Sequence, residues 1–228
     1  MTTTLAFDVY GTLIDTQGVL KELEKQVGDR APEFSRTWRE KQLEYSFRRG
    51  LMQRYEDFAR CTKDALRYTS SLMKVPLGGG AEESILSAYK TLPAFPDVRA
   101  GLIRLQSAGF RMFAFSNGLA GAVDQLLANA GIRGYFHDVV SVDEIRTFKP
   151  SPVVYGHFLK RAGTVAAQAW LISSNPFDVI GAVSSGMRAA WVQRSPEAVF
   201  DPWGIDPTIT VSTVAELADK LPTESRRA

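Results

Sequence analysis

Read as a string of apolar and polar positions, the chain has two regimes. In the first, short apolar runs recur: "TLAFDVY" (4–10), "FRMFAFS" (110–116), "DVVSV" (138–142), "AWLISS" (169–174), "AAWVQR" (189–194) and "TITV" (208–211). Runs of this length bounded by turn residues read as strands. Helical periodicity fills the gaps between the later ones. Val98, Leu102 and Leu105 share one face of 98–108, and Leu119, Val123, Leu126 and Leu127 share one face of 119–130. Gly109 in "SAGF" and Gly131 in "NAGI" fall where each helix would close in a left-handed cap. Strand, helix and strand in alternation predict an α/β fold, a doubly wound, Rossmann-like parallel sheet with crossover helices.

The second regime, residues 15–92, contains no convincing strand. Segments such as "FSRTWREKQLEYSFRRGLM" and "YEDFARCTKDALRYTSSLM" read as amphipathic helices, with "VPLGGG" (75–80) as a loop between helices. The two prolines of "LPAFPDV" (92–98) mark the return to the α/β regime. The expected organisation is a core of residues 1–14 and 93–228, with a helical domain, 15–92, inserted after the first strand. The tail "PTESRRA" is expected to fray.

Length and charge narrow the possibilities. A chain of 228 residues suffices for a core with a smaller insertion. Its net charge of +2 is spread over scattered basic residues, which argues against a nucleic-acid partner. No apolar run approaches the roughly 18 residues of a membrane span. The N-terminus lacks a signal pattern, so the expectation is a cytoplasmic protein without membrane association. The single cysteine, Cys61, excludes an internal disulfide and a cysteine-based zinc site.

Open α/β sheets bind ligands beyond the carboxyl ends of their strands, and four strand ends here run into polar residues. Asp8 precedes Gly11 and Thr12; taken alone it would serve as a turn cap. Ser116, Asn117 and Gly118 follow another strand, ahead of a helix start that suits an anion. Lys149 stands before Pro150, and Pro152 then suits the first turn of a helix that reaches Tyr155. "ISSNPFD" ends a fourth strand with Ser173, Asn175 and Asp178. All four clusters fall on one rim of one sheet.

The order "DVYGTL … SNG … KPSPVVY … SSNPFD" resembles the haloacid dehalogenase superfamily, and within it the L-2-haloacid dehalogenase (type II) family. The helical insertion, with "WREKQLEYS" (38–46), "LMQRYEDF" (51–58) and "DALRYT" (64–69), is similar to that family's cap domain. The resemblance covers roughly residues 4–220. It implies hydrolysis of the carbon–halogen bond of short-chain L-2-haloacids, with inversion. Asp8 attacks the α-carbon, halide leaves, and water hydrolyses the resulting ester, so that one hard displacement becomes two easier steps.

The resemblance further implies that Lys149 keeps the nucleophile charged, with Tyr155 supporting it, while Thr12 and Ser173 hold the carboxylate. Arg39 and Asn117, completed by Phe177, would cradle the halide. Ser116 and backbone N–H groups near Val9, Tyr10 and Asn117 would bind the substrate carboxylate. Asn175 and Asp178 would position or activate water. Tyr10, Leu43 and Phe58 would wall the alkyl pocket. No cofactor and no metal are expected; the partners are the haloacid and its halide. Homodimerisation is common in that family, and the aromatic-rich insertion could support it.

Two alternatives share the fold. Superfamily phosphatases carry a second aspartate as general acid two places after the nucleophile, and bind Mg²⁺ through an acidic pair in the last motif. Tyr10 stands at that position here, and "SSNPFD" offers one acid. A non-catalytic sensor or scaffold would be expected to have lost Asp8, Arg39 or Lys149, and all three are present. Two departures from the family pattern bear on substrate preference: Phe177 where Trp is frequent, and Glu40 where Gln often follows the arginine. Glu40 would weaken the halide cradle if it faced inward.

Overall fold

The computed structural model describes residues 2–222. The tail expected to fray lies outside the described residues, apart from Pro222. Six parallel strands form one sheet: β1 (Thr4–Phe7), β2 (Arg111–Ser116), β3 (Asp138–Ser141), β4 (Ala169–Ser173), β5 (Arg188–Val192) and β6 (Ile209–Val211). Their order is β3-β2-β1-β4-β5-β6. Each apolar run read as a strand contributes one.

The runs are continuous because both sheet faces are covered, as in parallel sheets generally. Side chains alternate between two cores. Leu5, Phe7, Met112, Ala114, Trp170 and Ile172 enter one. Ala6, Phe113, Phe115, Leu171 and Ala189 enter the other. The chain winds outward from β1 through β2 to β3, then resumes on the other side of β1 with β4. That reversal opens a crevice beyond the carboxyl ends of β1 and β4.

Strand ends fall short of their expected positions. The first run was expected to extend to Tyr10, but β1 stops at Phe7. Asp8 still donates its N–H to Ile172 O at 2.9 Å. The carbonyl of Val9 then accepts the N–H groups of Thr12, Leu13 and Ile14 at 3.3, 2.9 and 3.0 Å, which curls the chain out of the sheet. Gly11, at φ +83°, supplies the left-handed residue this turn requires. The fifth run likewise ends at Val192 rather than Arg194.

Between β1 and β2 lie four helices before the crossover: α1 (Leu20–Val27), α2 (Ala31–Leu51), α3 (Phe58–Leu72) and α4 (Ala81–Tyr89). No strand occurs among them. The "VPLGGG" segment joins α3 to α4 as a loop, as expected. The chain enters and leaves this helical segment side by side: Asp15 N–H donates to Pro93 O at 2.8 Å and Phe95 N–H to Leu13 O at 3.0 Å. The buried positions of α2 are Ala31, Phe34, Ser35, Trp38, Gln42 and Ser46. They follow the helical repeat, yet three are polar and need partners inside.

The remaining helices are α5 (Val98–Ser107), α6 (Ala120–Asn129), α7 (Pro152–Ala162), α8 (Pro176–Ser184) and α9 (Leu217–Lys220). Gly109 and Gly131 follow α5 and α6 at φ +81° and +69°, as predicted. No helix among the described residues is long and apolar enough to cross a membrane.

Gly101 of α5 lies against the turn at Val214. A Cβ there would meet Val214 C at 2.7 Å and Ala215 N at 2.8 Å, both backbone atoms with little room to yield. In an open helix Gly→Ala gains about 1 kcal/mol. Here overpacking reverses the sign, and Gly101→Ala should lower stability by about 1–3 kcal/mol. Urea unfolding checks this; a higher midpoint would contradict it.

Candidate active site

The crevice between β1 and β4 gathers a buried polar cluster around Asp8. One carboxylate oxygen, Oδ2, accepts from three side chains: Thr12 Oγ1 at 2.9 Å, Ser173 Oγ at 3.2 Å and Asn175 Nδ2 at 2.7 Å. The other, Oδ1, accepts from Lys149 Nζ at 3.2 Å. All four donors are side chains, three of them from the loop after β3 and the end of β4, so the local cap reading of Asp8 does not hold.

Lys149 is 1% exposed. Its ammonium has three N–H groups and uses each: to Asp8, to Asp178 Oδ2 at 2.7 Å and to Phe115 O at 2.9 Å. It also lies 4.1 Å from the Phe115 ring centroid. Its backbone N–H donates to Asn117 Oδ1 at 3.0 Å, which ties the "SNG" loop to the lysine. Asp178, in the first turn of α8, is fully buried and takes its second bond from Tyr155 Oη at 2.8 Å.

Two carboxylates thus share one ammonium. Burial and the charge of Asp8 raise the Asp178 carboxyl above the ordinary carboxylate range, and Lys149 opposes them. Burial and the neighbouring Asp178 also raise the Tyr155 hydroxyl well above its usual value, so it remains a donor. Burial, reinforced by Tyr89, raises the Tyr10 hydroxyl in the same direction.

The helical segment reaches this cluster through Arg39. Its Nη2 donates to Tyr10 O at 3.5 Å, and the same carbonyl accepts from Asn175 Nδ2 at 3.4 Å. Arg39 is therefore linked to Asp8 through Tyr10 O and Asn175. Its other fork, Nη1, donates to Gln42 Oε1 at 2.6 Å. Glu40, on the same helix, is exposed and faces away, so it leaves the guanidinium uncompensated.

Aromatic rings join the two parts of the molecule. Tyr55 packs on Phe148 (centroids 5.1 Å apart), Phe148 on Phe58 (6.3 Å), Phe58 on Tyr10 (5.9 Å), Tyr10 on Tyr89 (5.7 Å) and Tyr89 on Trp38 (5.2 Å). Phe148 precedes Lys149 in the chain and Trp38 precedes Arg39, so the ladder braces both cations. A cleft of about 510 Å³ opens beside it, lined by Tyr10, Phe58, Leu86, Tyr89, Gly118 and Leu119.

The structure thus brings Asp8, Thr12, Lys149, Tyr155, Ser173, Asn175 and Asp178 into one hydrogen-bonded cluster, with Asn117 and Arg39 attached to it. Ser116 is buried at the end of β2, where its Oγ accepts the Gly118 N–H at 3.1 Å. Val9 is buried in the core. Phe177 is half-buried and packs edge-on against Phe47 of α2 at 5.0 Å. Leu43 is half-buried on α2, outside the cluster.

Sequence reasoning missed Ser174, whose N–H donates to Thr12 Oγ1 at 2.8 Å and whose hydroxyl donates to Gly11 O at 2.7 Å. It also missed Gln42. Ser174 lay inside a quoted motif, and Gln42 stands three residues from Arg39 on one helix face, a spacing that brings side chains together.

A model of the haloacid dehalogenase-like hydrolases matches residues 2–186 of this chain. The haloacetate dehalogenase H-2 of Moraxella sp. (strain B) is 37% identical over 207 residues, 91% of this chain and 92% of that protein. The chain belongs to the haloacid dehalogenase-like hydrolases. Its relatives include (S)-2-haloacid dehalogenases, such as that of Xanthobacter autotrophicus, 40% identical over 200 residues, 86% of this chain and 77% of that protein. The solved structure of an L-2-haloacid dehalogenase from Xanthobacter autotrophicus with chloropropionic acid covalently bound superposes with a TM-score of 0.88, at 32% identity. It covers 96% of this chain and 98% of that one.

Removing the shared ammonium should unbalance the cluster. Lys149→Met leaves two carboxylates buried without a cation, and stability at neutral pH should fall by about 3–5 kcal/mol. Protonating those carboxylates should recover part of the loss. Chemical denaturation at pH 7.5 and pH 5 measures both effects; an unchanged difference between variant and parent at the two values would contradict the account.

Proposed function

We propose that the protein is an (S)-2-haloacid dehalogenase. It hydrolyses haloacetates and L-2-halopropionates to 2-hydroxyacids through an ester on Asp8, with inversion and without a metal. The observation that carries this reading is the asymmetry of the Asp8 carboxylate. Oδ2 is held by three donors, whereas Oδ1 has the single 3.2 Å contact with Lys149. Oδ1 keeps a lone pair for attack on the α-carbon.

As the bond from Oδ1 forms, the carbon–halogen pair leaves as halide. It takes no proton, so no general acid is required, and Tyr10 occupies the place where a phosphatase would keep one. The arginine fork of Arg39, whose charge persists at any working pH, receives the halide, with Asn117 and Phe177 beside it. Phe58, Tyr10 and Leu43 wall the alkyl group, and Ser116 with the backbone N–H groups of its turn holds the substrate carboxylate.

Water then attacks the ester carbonyl carbon, and negative charge develops on Oδ2. Thr12, Ser173 and Asn175 already point their donors at that atom and need no reorganisation. One such donor is worth about 10²–10³ in rate. Asp178 takes the proton from the water. Collapse of the intermediate breaks the bond between the Asp8 carboxyl carbon and Oδ1. The departing alkoxide takes the proton back from Asp178 and leaves as the hydroxyacid. The second water proton passes to solvent as Asp8 returns to a carboxylate carrying a solvent oxygen. The displacement at the α-carbon occurs once, which inverts it.

None of these steps calls on a divalent cation. The Lys149 ammonium bonds both Asp8 and Asp178 and supplies positive charge between them. Among the described residues no group of three or more acids, histidines and cysteines could hold such a cation. Residues 15–92, carrying Arg39, act as the cap over this site, and closure against the core excludes bulk water during ester formation. Working on a small soluble acid, the enzyme is assigned to the cytoplasm.

The deciding measurement is halide release from L- and D-2-chloropropionate in EDTA. Release from the L-enantiomer alone, giving D-lactate, is expected. No halide, with Mg²⁺-dependent cleavage of p-nitrophenyl phosphate, would replace this reading with the phosphatase one. Asp8→Asn should be inactive, and single turnover in ¹⁸O-water should label Asp8; a label found only in product would refute the ester.

The pH profile offers an independent check. Asp178 must be a carboxylate to accept the proton, so activity should fall as pH drops. Because burial raises this carboxyl, the acid limb of kcat should lie above the value of about 3.9 for an ordinary aspartate. A limb at or below that value would remove Asp178 as the base.

A further inference from the structure

The buried face of α2 carries a glutamine that the reaction scheme does not use. Gln42 is 1% exposed and makes three side-chain contacts. Its Oε1 accepts from Arg39 Nη1 at 2.6 Å and from Tyr89 Oη at 3.4 Å. Its Nε2 donates to Thr62 Oγ1 at 2.5 Å, and that hydroxyl donates to Phe58 O at 2.7 Å.

The chemistry of the groups fixes the direction of this chain. A guanidinium has only donors, so Gln42 must present its oxygen to Arg39. That leaves the amide NH₂ for Thr62, whose own proton goes to the carbonyl one turn back. A flipped amide would set donor against donor in the interior, where unsatisfied groups are costly.

The identity of the partner matters as much as its position. Arginines away from water are ordinarily paired with carboxylates. Here both acceptors of Arg39 are neutral, Gln42 Oε1 and Tyr10 O. Of the acids on its own helix, Glu40 is exposed and Glu44 pairs with Lys41 and Arg48. Asp8, linked to Arg39 only through Tyr10 O and Asn175, gives its direct contacts to Thr12, Lys149, Ser173 and Asn175.

We propose that Gln42 is a positioning residue for Arg39, which holds the guanidinium in place without neutralising it, so that the leaving halide meets an uncompensated cation. The inference rests on the reading of Arg39 as the halide group. A glutamate in this place would hold the arginine equally well and fail in function, because its charge would compete with the halide for the same cation.

Bromide serves as the probe, its Kd measured by titration calorimetry on folded wild type, Gln42→Glu and Gln42→Met, with kcat and KM for L-2-chloropropionate beside it. Thermal melting reports folding. Gln42→Glu is the closest in shape and should nevertheless be the worst binder. Its bromide Kd should rise at least about 10-fold, which corresponds to about 1.4 kcal/mol, and kcat should fall more than KM changes. Gln42→Met keeps the charge and loses the brace, so its Kd should rise less. A merely structural role predicts the opposite order, with Glu milder and losses following the melting temperature.

Bromide affinity within about twofold of wild type in Gln42→Glu overturns the proposal. If that variant does not fold, Gln42→Met carries the test: a weakened Kd at a wild-type melting temperature supports it, and an unchanged Kd overturns it. A wild type that binds bromide but releases halide from no haloacid would sink the proposed reaction while leaving this inference standing. A wild type that does not bind bromide would sink the inference.

Discussion

The site depends on one buried ammonium. Lys149 Nζ sits between two carboxylates inside the protein and opposes the burial that raises Asp178, and its third N–H is taken by the Phe115 carbonyl. The carbonyl belongs to β2, Asp8 follows β1, and Asp178 begins α8 after β4. A single cation therefore ties together three neighbouring strand ends. The remaining groups are arranged around that pairing: Tyr155 completes Asp178, Asn117 holds the lysine backbone, and the three donors on Oδ2 leave the other Asp8 oxygen to the ammonium alone.

The same geometry sets the surroundings of the neighbouring groups. The fixed lysine compensates the charge of Asp8 and Asp178. Tyr10 then acts as wall and brace, gripped between Phe58 and Tyr89. The two positively charged groups have different surroundings. Lys149 faces carboxylates and is balanced, whereas Arg39 faces neutral oxygens and is not.

Much of this was legible in the chain. The strands were, because buried parallel strands need unbroken apolar runs, and the four polar clusters were, because each directly follows such a run. Strand ends were overestimated at Asp8 to Tyr10. Those residues suit a strand, but the Val9 carbonyl draws three N–H groups to itself and bends the chain away. The inward face of α2 was not legible. Ser35, Gln42 and Ser46 look like surface residues in a string of letters. Their burial depends on Thr62 and Tyr89, which lie 20 and 47 residues from Gln42.

The paired exit and entry of the helical segment have a consequence for how the molecule is built. Leu13 and Asp15 leave the sheet hydrogen-bonded to Phe95 and Pro93 on their return, so the two ends of this long excursion are already neighbours. A short turn could join them without moving any strand. The helices thus hang from two adjacent points of the sheet, and Arg39 reaches the Asp8 cluster from that insert. Asp8, Lys149 and Asp178 all lie outside that excursion, so their mutual contacts do not depend on its length.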